Sequence, residues 1–586
     1  MKRISILILS GLISINYLMA SVKYTVSFDQ SKAHYAHISV HFEASEAESI
    51  FKVPVWTPGS YKVREFSQNV EHMKATVNGL GMEVDRIDKN TWSVGTETGQ
   101  AVTFEYDVYC FVNSVRHSYV DEYYAFLHGV SAFGYVVGQQ DEEVILELMP
   151  LSNWANVEIA AERLKANGHV FRLDNYDLLA DSPIALGNFD VVEYVSGDVP
   201  HRVVMMGEGN YDLEVIKTDF KKISDEEVKM FKHHPSKLYV HFIQNTEVAS
   251  GGLEHMNSQT SQMDRWGYNN KERYIKFLGL VSHEYFHLWN VKRIRPVELG
   301  PFDYDKENYT DMLWIAEGIT SYYDDLFLFR AGFYTETEYF DVLSKQINRF
   351  ENTPGKDEMT LEQSSKLAWI KAYLPNENSH NTTISYYNKG MLVAWMLDLQ
   401  ILKNSKGKRG LDDVMRKLYS NYQADPSKGF THSEFIAVCS EIAGENMQSF
   451  FDAMVFSTST IDYSRWLADF GMAAEEVESE EKAWSGVSSS LKNGKLIIDK
   501  VFSNGPAEEA GIAVNDELIA INGWRVTHAM NQHAKKFDVG DTITILLSRD
   551  GRLIEKEVTF IANPRETYKV KSTNKNKLQE CWLSQD

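Results

Sequence analysis

The stretch VSHEYFHLWN, residues 281–290, sets two histidines four apart, with a glutamate beside the first, inside a run of apolar and aromatic side chains. Four residues is about one helical turn, so His283 and His287 share a face only if this segment is an α-helix. The neighbouring residues agree with that requirement. ERYIKFLGLVSHEYFHLWNVKRI contains no proline and a single glycine, and Pro296 follows it, which predicts a helix over 272–294. Apolar residues at 274, 277, 278, 281 and 288 make a core-facing stripe that includes both histidines. Two imidazoles one turn apart can share one zinc ion, and Glu284 then lies beside the metal as a base rather than a ligand.

A catalytic zinc takes three protein ligands and keeps one position open. The segment TDMLWIAEGITSYYDDLFLF, 310–329, reads as a second helix, with Thr310 as N-cap and Asp311 in its first turn. Glu317 sits on its apolar face among Trp314, Ile315 and Ile319, where a glutamate needs a partner. The expected ligand set is therefore His283, His287 and Glu317, with one Zn2+ per chain.

HExxH followed by a glutamate in the context WxxEGxxxY resembles the gluzincin, thermolysin-like metallopeptidases. Twenty-nine residues separate His287 from Glu317, and they begin with the run WNVKRIRP. That run and that gap resemble the glycyl aminopeptidase family, whose members carry a PDZ domain near the C-terminus. VPVWTPGSYKVREF (53–66) resembles the family's N-terminal β domain, GGLEHMNS (251–258) its substrate-binding strand, and ISYYNKG (384–390) its catalytic-tyrosine segment. The resemblance runs from about residue 22 to about 563.

The resemblance implies hydrolysis of peptide bonds at the N-terminus, with small first residues, Gly or Ala, preferred. It implies Glu284 as the proton carrier and Tyr387 as the second donor to the oxyanion. Tyr386 differs from Tyr387 only in register. Gly251 and Gly252 would let substrate approach a strand edge, and Glu254 would pair with the free α-ammonium. Here the residue after Glu254 is His255, where related aminopeptidases carry Asn. Two other readings stay open: a zinc endopeptidase with PDZ-guided substrate choice, and a non-catalytic peptide-binding or chaperone protein.

Length and pattern imply a multidomain α+β chain. Residues 1–20, MKRISILILSGLISINYLMA, carry Lys2 and Arg3 ahead of an apolar run ending at Ala20. This reads as a signal peptide for a periplasmic or secreted bacterial protein, and Leu18 at the cleavage motif leaves retention as an anchor open. From 21 to 200, period-two runs such as KYTVSFDQ, HISVHFEA and AVTFEYDVYCF predict an antiparallel β domain. Residues 201–474 form the mostly helical catalytic domain, which the resemblance makes thermolysin-like. GPAEEAGI and DELIAINGWRV, within 484–563, look like a PDZ module, which implies peptide ligands added as a strand. Residues 475–482 read as a charged linker, and 564–586 as a flexible tail.

The net charge of −23 becomes −25 once residues 1–20 leave, since they hold two cations and no acid. So acidic a chain repels phosphate backbones and anionic lipid, which argues against nucleic-acid and peripheral-membrane partners, and nothing beyond the leader is apolar enough to insert in a membrane. Three widely spaced cysteines, Cys110, Cys439 and Cys581, supply neither a disulfide framework nor a metal motif.

Overall fold

The computed structural model describes residues 21–166, 168–248, 251–477 and 483–584. The leader lies outside them. Contacts divide the chain into two units. One comprises residues up to 54, 66–113 and 117–188; the other comprises 55–65, 114–116 and everything from 189 onward.

The first unit is built on an eight-stranded sheet and two four-stranded sheets. Period-two alternation sends Val22, Tyr24 and Val26 of one strand inward, with Ile38, Val40 and Phe42 of the next. Pairing is mostly antiparallel, as the sequence predicts, but Ser21–Ser27 runs parallel to Glu143–Met149. This unit ends at 188 rather than 200. The strands Asp190–Ser196 and Val199–Met206 form a hairpin whose second arm pairs in parallel with Tyr239–Thr246, which makes both part of the second unit.

In the second unit, a five-stranded sheet has Asp190–Ser196 at one end and Gly252–His255 at the other. The helix Leu213–Phe231 makes the crossover between its parallel strands, started by Asp212, whose carboxylate accepts the amides of Glu214 and Val215. Behind the sheet lies a helical core. At its centre is the helix Tyr386–Ser405, buried at fifteen of its twenty positions and apolar nearly all round, as an interior helix must be. No helix among the described residues is long and apolar enough to cross a membrane.

The described part of the segment read as a tail, residues 564–584, is not free. Tyr568–Ser572 pairs antiparallel with Met472–Glu476, inside the stretch read as domain end and linker. The helix Lys577–Ser584 then buries Trp582 completely, stacked on Trp395 with ring centroids 5.9 Å apart and donating Nε1–H to the Tyr322 hydroxyl at 2.8 Å. Leu578, Cys581 and Trp582 stand at helical spacing, but two turns at the end of a polar stretch are too short a periodic run to stand out, which is why the segment reads as tail. The PDZ-like module therefore sits between two paired strands. Its own core gathers Ile498, Leu518, Ile543, Leu547 and Val558.

This insertion has a measurable consequence. Replacing 478–566 by a short glycine turn should leave a folded, metal-competent protein, because Glu476 and Tyr568 are already register partners. Truncation after 474 should instead cost about 3–5 kcal/mol of stability from the lost tryptophan alone. Equal melting temperatures for the two deletions would contradict this placement of the C-terminal helix.

Candidate active site

The HExxH helix is shorter than its sequence predicts: it spans Lys271–Phe286, with His287 as C-cap and tight turns carrying the chain to Ile294. Pro296 is thus not the terminator. The turns of WNVKRIRP hold their neighbours instead. Asn290 accepts the His287 Nδ1 proton on its backbone oxygen at 2.6 Å, and its side-chain amide donates to the Ile315 and Ala316 carbonyls and to Thr320 Oγ1. Arg293 donates to the Met256 carbonyl and to Asn257 Oδ1, which ties this run to the end of the strand that carries Glu254.

The segment 310–329 is not one continuous helix from Thr310. Trp314–Gly318 forms a π-turn and Ile319–Arg330 the α-helix. A π-turn leaves backbone groups out of the regular ladder and is often found at functional sites; here Asn290 takes up the carbonyls of the two residues just before the expected ligand. Glu317 lies within that turn. Beside it, Gly318 and Gly390 meet face to face: a Cβ on either would stand 2.6 to 2.9 Å from the other's Cα. The glycines of WxxEG and YNKG thus let two helices touch backbone to backbone, which brings Tyr387 beside the histidines.

Four residues converge at this point. Glu317 Oε2 lies 3.3 Å from His283 Nε2 and 3.2 Å from His287 Nε2. His283 donates Nδ1–H to Asp324 Oδ2 at 2.9 Å, so both rings have their Nδ1 engaged and turn Nε2 toward the glutamate. The ligand atoms all fall within 4.8 Å of one another, with His287 and Glu317 buried and His283 partly exposed toward the cleft. Two oriented imidazoles and one carboxylate in a tetrahedral-sized cluster fit a catalytic zinc. Burial opposes the Glu317 charge, but the two imidazoles outweigh it and hold its pKa low. For His283, burial is likewise overcome by Asp324 and Glu317, which raise its pKa.

Glu284 shares the cluster without joining the ligand set. Burial, reinforced by the Glu254 and Glu317 charges, pushes its pKa up to about 7 against the pull of the two histidines. Its carboxylate lies where a Cβ on Gly252 would be, so that glycine makes room for the Glu284 side chain. Glu254, Glu284 and His287 also lie within 4.8 Å of one another. Glu254 itself is 3% exposed and forms no ion pair or hydrogen bond among the described residues. Gly59 abuts it: a Cβ there would lie 2.5 Å from Glu254 Oε1. Gly251, at φ +74°, is in the left-handed region and faces the Arg116 guanidinium, which donates to the Gly252 carbonyl and to Ser60 Oγ.

Tyr387 lines the same cleft of ≈ 980 Å3 and stacks near His283, with centroids 6.1 Å apart. Tyr386 lies behind it, 1% exposed, and does not line the cleft. Every residue expected at the site is therefore brought together. Four others went unread. Asp324 stands seven residues after Glu317, two turns along one helix, which was a usable signal. Asn290 lay inside the quoted run without an assigned partner. Gly59 and Arg116 come from segments more than 130 residues from Glu254, and no local pattern could have placed them.

An HExxH helix and a downstream glutamate closing on one point, beside a strand at a sheet end, is the arrangement of a metallopeptidase. Residues 276–393 match the model of the M61 glycyl aminopeptidases, residues 23–188 that of the peptidase M61 N-terminal domain, and residues 484–560 that of a PDZ domain. Over its catalytic segment and its N-terminal domain the chain is thus similar to the M61 glycyl aminopeptidases, and it is a peptidase.

The crystal structure of an aminopeptidase N family protein from Idiomarina loihiensis is similar at TM-score 0.90 and 29% identity, covering 96% of this chain and 100% of that one. Weaker likenesses include an M1 zinc metallopeptidase from Deinococcus radiodurans (TM-score 0.47, 11% identity, 75% of this chain and 94% of that one). Yeast LTA4 hydrolase in complex with bestatin is similar at TM-score 0.46 and 12% identity, over 76% of this chain and 67% of that one. No curated protein matches the sequence.

Proposed function

We propose that the protein is a zinc aminopeptidase that removes small N-terminal residues, Gly or Ala, from peptides. The observation that carries this reading is the Glu254 carboxylate, buried without an ion-pair partner and facing the same space as Glu284 and His287. A buried carboxylate calls for a cation, and the α-ammonium of a peptide bound along the edge strand supplies one. Preference for a small first residue comes from the family and not from a pocket seen here.

A zinc ion held by His283, His287 and Glu317 would supply Lewis-acid activation of water and of the scissile carbonyl. Glu284 accepts the water's proton and delivers it to the leaving amine; burial already sets its affinity for a proton near neutrality. Tyr387 donates its hydroxyl proton in a hydrogen bond to the oxygen that gains charge in the transition state. Glu254 fixes the amine, so the first peptide bond is the one presented.

Metal analysis tests the ligand assignment. The purified protein should contain about one zinc per chain, lost in His283→Ala, His287→Ala and Glu317→Ala. Zinc-free native protein, or full metal content in any of the three, sinks the assignment. Tyr387→Phe should keep zinc and fold while kcat falls about a hundredfold and KM changes little, the usual loss of one oxyanion donor. That phenotype in Tyr386→Phe instead would move the role by one residue.

Export through residues 1–20 to the periplasm or the exterior belongs to the same proposal. Mature protein beginning at Ser21 is the expected result; a cytoplasmic protein that retains Met1 is the contrary one.

A further inference from the structure

Beside Tyr387 opens a second cavity, of ≈ 420 Å3, that shares Arg349, Ser385 and Tyr387 with the zinc-site cleft. Its chemistry differs from that of the rest of the molecule. The chain has 82 acidic residues against 59 lysines and arginines, and the cleft itself is lined by Glu254, Glu284, Glu317, Asp324 and Asp325. Among the described residues that line the second cavity there is no aspartate or glutamate, and there are two cations, Arg349 and Lys371. Neither forms an ion pair among the described residues. In so acidic a chain, two unpaired cations facing one concave, acid-free space make a local positive potential.

The walls are fixed. Gly355 packs so closely on Thr383 that a Cβ would collide with its backbone, and Ser364 Oγ donates to the Ile384 carbonyl at 2.8 Å. On the outer side His380 and Asn381 both donate to the Val501 carbonyl of the PDZ module at 2.9 Å, and Asn381 Oδ1 accepts the Ser503 amide. Burial lowers the His380 pKa, which leaves the charge of the cavity to Arg349 and Lys371. A site framed on both sides, open toward the catalytic tyrosine and carrying two free cations, is preorganised for an anion.

We propose that this cavity is a subsite for a peptide carboxylate, which Arg349 and Lys371 bind while the substrate's amine is held at Glu254. This rests on the aminopeptidase reading of the zinc site. It assigns the substrate class as short peptides whose two charged ends are both recognised: the ammonium at the edge strand and a carboxylate past Tyr387. The carboxylate is either the C-terminal α-carboxylate or an acidic side chain, and length and amidation separate the two.

The test compares peptides of two to five residues with a free N-terminal Ala, each as free acid, as C-terminal amide, and as amide with one glutamate moved along the chain. Hydrolysis is measured with the full-length zinc enzyme, and binding by calorimetry with the Glu284→Gln protein. At one chain length the free acid should be preferred to its amide by about two- to fivefold, as expected for solvent-accessible ion pairs, and added salt should erode the preference. Arg349→Ala or Lys371→Ala should bring the ratio near one, Arg349→Lys should retain most of it, and Arg349→Glu should invert it. A preference that follows the glutamate rather than the terminus identifies the side-chain source. Equal treatment of acid and amide at every length with no preference for any glutamate position, or an unchanged preference in Arg349→Glu, overturns the subsite. Failure of the aminopeptidase reading would appear separately, as no release of the N-terminal Ala from any free-amine peptide, and the calorimetric ratio would still decide the anion site.

Discussion

Glu284→Gln should retain its zinc and lose about a hundredfold to ten-thousandfold in kcat. The substitution preserves size and hydrogen-bonding reach but removes the group that carries the proton from water to the leaving amine, work that accounts for about 10²–10⁴ in rate. Metal should stay because Glu284 is not among the atoms that His283, His287 and Glu317 direct at one another. The substitution also relieves crowding: three carboxylates, Glu254, Glu284 and Glu317, repel one another here, so the Gln protein should fold at least as well as the parent. Its near-normal substrate binding makes it the proper background for binding measurements. In the parent, activity should rise with pH along a limb whose midpoint lies at or below about 7, because Glu284 must be deprotonated to act and a bound cation favours its charged form. Full turnover in the Gln protein, or loss of its zinc, would remove Glu284 from the base role.

Glu254→Ala should depress kcat/KM for free-amine peptides by roughly thirtyfold to several thousandfold. That range is the cost of truncating one partner of a buried charge pair, about 2–5 kcal/mol, at about 1.4 kcal/mol per tenfold. The substitution leaves the ligand cluster untouched and opens space beside Gly59, so the fold should survive. The loss should be selective. Substrates without the ammonium, already poor for the parent, should be affected little, and the variant's discrimination between free and blocked amines should shrink. Uniform loss across both kinds would make Glu254 a structural acid.

The chemistry at this centre was legible because its ligand spacing is local. His283, Glu284 and His287 lie within one turn and a half, and Glu317 announces itself as an acid on an apolar face. The edge strand was legible too, through paired glycines before a glutamate. The shapes that hold these residues were not. A helix that stops at Phe286, a π-turn at Trp314–Gly318, and an amide at Asn290 that bridges them are set by contacts between segments 25 to 30 residues apart. The glycine pair at Gly318 and Gly390 is meaningful only once two helices are known to cross there. Likewise Gly59 reaches Glu254 across nearly two hundred residues, and Trp582 finds its place only against Trp395 and Tyr322. Each of these depends on non-local packing, to which periodicity is blind.

In the proposed function one metal centre and one amine-binding acid act together on the N-terminus of a peptide. The most direct measurement is hydrolysis by the purified protein of an Ala-initiated peptide and its N-acetylated twin, each with and without a chelator, followed by restoration of zinc. Release of free alanine from the unblocked peptide alone, abolished by the chelator and recovered with zinc, is the predicted result. Internal cleavage of the acetylated peptide at a comparable rate, or activity that persists after the metal is stripped, would contradict it.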